Sequence, residues 1–401
     1  MECQNNFWPW FSEDEYKSRY ARLRAAMAEK NLDCLVIYGS GGYLGTDPGQ
    51  PNVAYIASFV SFVQTYVVFP LDEREEATVF VTWGNHLKNA QQVTRLRDVR
   101  VGGMAQTPDR VADRLKELGL ENKRIGIVGA MAWANITLPH EQYLTITGAL
   151  SGAEFEIVTE WFEGVRLVKS EEEMAYTRRG AAMTDAAYDV MVRSTRPGVR
   201  PCDLYNIVLR VAQDMDGKIP FGHVGRTPMS DPDMVYAHQT ALTTPIQMGD
   251  VVMTEIAVGW GGYFGKIWGT YFMGDPTPEY EEMFRLSQKT HAALHAAIRP
   301  GVKGEALTRP CLDIIQSAGY KSRSAVFGWS NYNSPPDIRS AGDTITGGGF
   351  VFEKNHCLNI LPWTVDRAET RGVWLGDTSA VTEDGIENLH KYPLTEITVV
   401  S

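Results

Sequence analysis

The chain has 401 residues, more than one ordinary hydrophobic core organises, so two domains are expected. Hydrophobic residues make up 44% and charged residues 22%, a balance that excludes intrinsic disorder. The formal net charge is −11 and no Lys/Arg-rich arm or patch stands out, which argues against nucleic acid or an anionic membrane as partner.

The first element expected is a helix over residues 13–29, where Tyr16, Tyr20, Leu23 and Met27 recur on one face. Short apolar runs follow at Cys34–Tyr38, Val53–Phe59, Thr65–Leu71, Ala77–Trp83, Arg124–Val128 and Phe155–Val158. They read as strands, and with helical patterns such as Pro108–Leu118 between some of them they predict an α/β domain with a mixed sheet. Around Trp161–Lys169 the pattern changes to long helices. Ser170 is placed to cap a helix running to about Ser194, with Glu171 to Glu173 favourable at its positive end. Further helices are expected at 202–215, 277–298 and 304–318. The division expected is 1–165 and 166–401.

No run approaches the ~18 apolar residues of a membrane span, and MECQNNFWPW lacks the basic-then-apolar order of a signal peptide. The cysteines Cys3, Cys34, Cys202, Cys311 and Cys357 are odd in number and form no CxxC pair, as expected of reduced thiols in a cytoplasmic protein.

The most informative stretch is residues 237–284. Two strand-like runs, Val251–Gly259 and Gly262–Met273, flank Trp260-Gly261 and suggest a hairpin. A two-residue turn there sets Glu255 opposite Lys266 and Met253 opposite Trp268, a register that a bulge would shift.

This stretch resembles the pita-bread superfamily of methionine aminopeptidases, prolidases and creatinase. The resemblance rests on Gly249-Asp250, Glu255, Gly262-Tyr263, Lys266 eleven residues after Glu255, Thr270 and Gly274. It extends upstream to RLVKSEEEMAYTRRGAAMTDAA and downstream to VTEDGIENLHKYP, nearly the whole chain. It implies a two-domain α/β fold, with a creatinase-like N-terminal α/β domain and a C-terminal pita-bread α+β domain. The superfamily's di-metal site needs converging carboxylates and a histidine. Here the second aspartate position is Lys266, the histidine region VFGWSNY carries Trp329, the EP pair is Leu361-Pro362, and the last glutamate falls on or beside Leu375. No metal and no other cofactor is expected.

What remains resembles creatinase, the metal-free member, whose catalytic histidine lies twelve residues before the GD; Ala237-His238 and Thr243-Thr244 occupy that frame. Creatinase's substrate-binding glutamates correspond to Trp268 and Leu361. The WPWFSEDEY opening, the GHVGRTPMSDPDMVYAHQTALTTP block and TEIAVGWGGY look most like ectoine hydrolases. That family opens the cyclic amidine of ectoine to N-acetyl-diaminobutyrate. The resemblance implies Glu255 as nucleophile or base and His238 as acid and base, with Lys266 keeping Glu255 ionised. Trp268, Trp329, Trp363, Trp374 and Phe327 are candidates for an aromatic wall around the cation of a small zwitterionic substrate. It further implies a homodimer in which Phe62 and Gln64 reach the neighbour's site. Creatinase-like amidino hydrolysis and a non-catalytic binding module are the alternatives. His223 is expected as a buried loop contact. His291 and His295 have helical spacing suited to a metal, but no acidic partner in sequence, and are expected at a surface or interface.

Overall fold

The computed structural model describes residues 11–41, 50–61, 63–131, 136–220, 222–238, 243–329, 333–341, 344–345 and 347–401. Residues up to Arg166 form one compact unit and those from Leu167 a second.

The first unit begins with α1 (Glu13–Glu29), capped by Ser12, whose hydroxyl accepts from the Glu15 amide at 3.1 Å. Then follow β1 (Cys34–Gly39), α2 (Pro51–Ala57), β2 (Thr65–Pro70), β3 (Thr78–Val81), α3 (Leu87–Val93), β4 (Asp98–Val101), α4 (Thr107–Glu117) and β5 (Arg124–Val128). A small ladder, β6 (Ala130–Met131) with β7 (Ile136–Thr137), precedes α5 (His140–Ala149), β8 (Glu154–Ile157) and α6 (Thr159–Leu167). The sheet runs β4-β3-β2-β1-β5-β8 and is mixed: β1 pairs antiparallel with β2 and parallel with β5. Alternation along β1 divides the core, since Leu35 and Ile37 face the layer of Leu23 and Met27 while Cys34 and Val36 face Val111 and Leu115.

The apolar run at Val53–Phe59 is not a strand. It is α2, because Pro51 presets the first helical turn and Ser58, in the left-handed region at φ 52°, ends it. A short continuous apolar run carries no period by which helix and strand can be told apart.

The second unit opens with α7 (Glu171–Ser194), where Ser170 and Glu173 form a reciprocal capping box. Next come α8 (Pro201–Asp214), β9 (Gly222–Pro228), β10 (Asp250–Trp260), β11 (Tyr263–Met273), α9 (Pro278–Ala297) and α10 (Glu305–Ser317). The remaining strands are β12 (Lys321–Ser322), β13 (Ala325–Trp329), β14 (Asn333–Ala341), β15 (Thr344–Ile345), β16 (Cys357–Leu361), β17 (Trp363–Val365), β18 (Gly372–Trp374), β19 (Asp377–Val381), β20 (Ile386–Asn388) and β21 (Val399–Val400). They form a sheet β21-β11-β10-β9, a sheet β15-β14-β13-β16-β19-β20 and a small sheet β12-β17-β18.

The β10/β11 hairpin organises this unit, and its two faces have different neighbours. Val252, Ile256, Ile267 and Tyr271 pack on Met183, Ala187 and Met191 of α7. Met253 and Trp268 face the other way, into a layer with Ala325, Phe327 and Leu361. The turn is Gly261-Gly262, both at positive φ (59° and 85°), so Trp260 pairs with Tyr263. The register therefore differs from the expected one by two residues: Glu255 sits opposite Trp268, Ala257 opposite Lys266 and Met253 opposite Thr270. A shift of two keeps each side chain on its face, so Glu255 and Lys266 still share one, as diagonal neighbours.

Candidate active site

Glu255 is 5% exposed and both its oxygens are taken. Oε1 lies 2.7 Å from the Lys266 ammonium, and Oε2 accepts from the Tyr236 hydroxyl at 2.5 Å. Burial pushes the Glu255 carboxyl up, but the Lys266 charge and the hydrogen bonds from Lys266 and Tyr236 prevail and hold it below the usual glutamate range. Burial likewise lowers Lys266, with Glu255 opposing the shift. Tyr236 is raised, by burial first and then by the Glu255 charge, so its phenol stays protonated and donates.

Two further groups, His223 and Tyr236, meet Glu255. His223 is on β9, not in a loop, and stands directly opposite Glu255 in the β9/β10 ladder. Its imidazole is lowered by burial, against the pull of the Glu255 charge, so it is neutral at pH 7. Tyr236 lies in the GHVGRTPMSDPDMVYAHQTALTTP block, yet nothing in sequence marks it as the second partner of the Glu255 carboxylate. That role depends on a loop folding back over the sheet.

His238 lies over the same face. A Cβ at Gly225, which pairs with Met253, would come 2.8 Å from the His238 amide nitrogen and 3.1 Å from its Nδ1. That Nδ1 is buried and has no hydrogen-bond partner among the described residues. A ring nitrogen left without a partner on the sheet face that carries Glu255 is available for proton transfer.

The structure divides the aromatic residues expected around a cation. Trp268 and Trp329 already face a cation, the Lys266 ammonium, 4.2 and 5.3 Å from their ring centres. Trp329 donates its indole N–H to the Phe264 carbonyl, and Trp374, fully buried, donates to that of Gly269. Trp363 and Tyr236 are only partly buried and meet Trp374 edge to face, at 5.3 and 4.9 Å between ring centres. Phe327 packs beside Trp268 and carries the Arg339 guanidinium 4.9 Å over its ring. Gln64 belongs to the first unit, where its side chain donates to the Met104 carbonyl and accepts from Gln142. Phe62 lies outside the described residues.

A divalent cation does not fit the Glu255 face. Its one carboxylate is shared between an ammonium and a phenol, and Trp329 and Leu361 offer no donor. Leu375 turns into a separate core with Phe272 and Tyr280, so the neighbouring residue facing the site is Gly376. A side chain there would meet Trp268 Cε3 at 2.8 Å and Leu361 Cδ1 at 3.1 Å, leaving no room for a carboxylate.

The architecture is that of a two-domain enzyme with a creatinase-type N-terminal domain and a pita-bread C-terminal domain. Residues 19–168 match the creatinase/prolidase N-terminal domain, and residues 175–383 match metallopeptidase family M24. The chain belongs to metallopeptidase family M24, a family of hydrolases. An uncharacterised peptidase, YqhT, of Bacillus subtilis is 24% identical over 88% of this chain and 96% of its own. Creatinase of a Bacillus species is 22% identical over 96% of this chain and 92% of its own. The prolidase of Thermococcus sibiricus superposes with a TM-score of 0.80 at 15% identity, over 98% of this chain and all of the other. Among the described residues no helix is long and apolar enough to cross a membrane, and Cys34, Cys202 and Cys357 are free thiols.

Proposed function

We propose that this chain hydrolyses a small cyclic amidine, ectoine or its hydroxylated derivative, to the N-acetyl-diaminobutyrate, without a metal at Glu255. The observation that carries the reading is one buried carboxylate, kept ionised by Lys266 and Tyr236, on the same sheet face as the free Nδ1 of His238. An amidinium carbon is already electron-poor, so its hydrolysis needs an anionic nucleophile or base and a proton source. In the covalent route, a Glu255 oxygen adds to the amidinium carbon. One ring C–N bond then breaks, with His238 protonating the departing nitrogen, and water cleaves the bond between Glu255 and the acyl carbon. In the general-base route, Glu255 takes the proton of a water that makes the same addition. The partly buried Trp363 and Tyr236 are the rings best placed to meet the substrate, whereas Trp268, Trp329 and Trp374 shape the site around Lys266. The working form is a cytoplasmic homodimer, in which Phe62 and Gln64 contribute to the partner's site.

The test is incubation of purified enzyme with ectoine, with product followed by mass spectrometry, before and after dialysis against EDTA or phenanthroline. Ring opening should proceed and survive chelation unchanged. Loss of turnover on chelation while circular dichroism shows the fold intact, restored by added metal, would refute the metal-free chemistry. Cleavage of X-Pro dipeptides with no turnover of ectoine would point to peptidase chemistry instead.

A further inference from the structure

His291 and His295 stand four residues apart on α9 and so share a helical face, their ring centres 4.2 Å apart. The acidic partner missing from their sequence neighbourhood comes from β19, eighty-six residues along the chain from His291. Asp377, fully buried, is hydrogen-bonded through Oδ2 to Nε2 of His291. Its Oδ1 is 3.6 Å from Nε2 of His295, which is too long for a hydrogen bond. That nitrogen is buried and without a hydrogen-bond partner among the described residues. The three ligand atoms all lie within 4.8 Å of one another, and among the described residues no other group of three His, Cys, Asp or Glu converges in this way.

We infer that His291, His295 and Asp377 form a zinc site that ties α9 to β19. Two imidazole nitrogens and one carboxylate are the borderline donors that zinc takes, and three protein ligands leave a fourth position for water. Ligand atoms on one zinc ion lie roughly 3–4 Å apart, so small side-chain rotations close this set. The outer partners that orient such a carboxylate are already in place. Ser379 Oγ donates to Oδ1 at 2.6 Å and Asn388 Nδ2 to Oδ2 at 3.0 Å. His295, 19% exposed, gives the ion a way in from solvent. The site lies behind the Glu255 face, not on it. The next residue, Thr378, accepts from the Lys266 amide at 2.9 Å, and alternation along β19 points Asp377 to the opposite side. The ion therefore fixes structure and does not meet the substrate.

The test uses the full-length protein stripped with dipicolinate, then titrated with zinc by calorimetry and with cobalt by absorption. One zinc per chain should bind, cobalt should show the visible bands of a low-coordinate nitrogen/oxygen site, and the melting temperature should rise with zinc. His295→Ala replaces the most exposed ligand and should lower zinc affinity by more than the ~100-fold upper range for loss of an outer-shell partner. Its circular dichroism verifies that it folds. Glu255→Gln should bind zinc as the parent does. Absence of zinc binding by the stripped parent, or undiminished binding by folded His295→Ala, would overturn the site. Loss of zinc in Glu255→Gln would instead place the metal at the Glu255 face and overturn the metal-free reading of that face.

Discussion

Among the carboxylates that the second unit buries, Glu255 and Asp377 are surrounded differently. Glu255 is matched by a lysine, whose ammonium has no lone pair to give a metal, and by a phenol and an aromatic layer. Asp377 is matched by two imidazoles, which ligate metals well, and by a hydroxyl and an amide. Both carboxyls are held below their ordinary range although burial pushes each up. A buried carboxylate in this fold thus does not define a metal site by itself. On the two proposals made above, the neighbouring nitrogen decides, an ammonium leaving a reactive anion and an imidazole pair making a ligand set.

Glu255→Gln tests this contrast most severely. It keeps the volume and a hydrogen-bond acceptor but removes the charge, so ring opening should fall to background. Retained turnover in a steady-state assay would remove Glu255 from the mechanism altogether. His238→Ala should slow turnover by roughly 10²–10⁴-fold with little change in substrate binding by calorimetry. In the covalent route, rapid quenching of this variant should reveal a protein heavier by one substrate, with the added mass on the Glu255 peptide. An unchanged rate would show that the free Nδ1 takes no part in proton transfer.

Lys266→Met asks whether the ammonium is what distinguishes the two carboxylates. With the charge gone, burial acts on Glu255 unopposed, so its pKa rises and the acid limb of kcat/KM moves to higher pH. In the parent, the stability tied to Glu255 ionisation is present above the ordinary glutamate pKa and is lost as pH falls through the lowered folded value. Breaking the buried pair should also destabilise the fold by about 3–5 kcal/mol, read by denaturant titration. An acid limb that stays in place would mean Lys266 does not control Glu255. Tyr236→Phe should move the acid limb in the same direction but less, because it removes one charge-assisted hydrogen bond and no charge.

How much of this was legible in the sequence differs from element to element. The long helices of the second unit were readable to within a residue or two, because Ser170 with Glu173 and Pro201 act through neighbours on the same turn. The hairpin was readable too, and so was the common face of Glu255 and Lys266, since both follow from strand period. Its register was not, because Gly261-Gly262 and Trp260-Gly261 are both plausible two-residue turns, and packing against α7 on one face and β13 and β16 on the other selects the first. Only the tertiary structure brought Tyr236 to Glu255, set His223 opposite it, turned Trp268 and Trp329 toward Lys266, and carried Asp377 to His291 and His295. In each case the partners are distant in the chain or meet across a fold-back, and side-chain chemistry read along one dimension cannot report which charges a buried group will find beside it. The sequence by itself determined the capped long helices and the hairpin, because caps and strand period are local, and it left the short apolar run at Val53–Phe59 undecided. Tertiary packing decided which carboxylate received a lysine and which received the histidines.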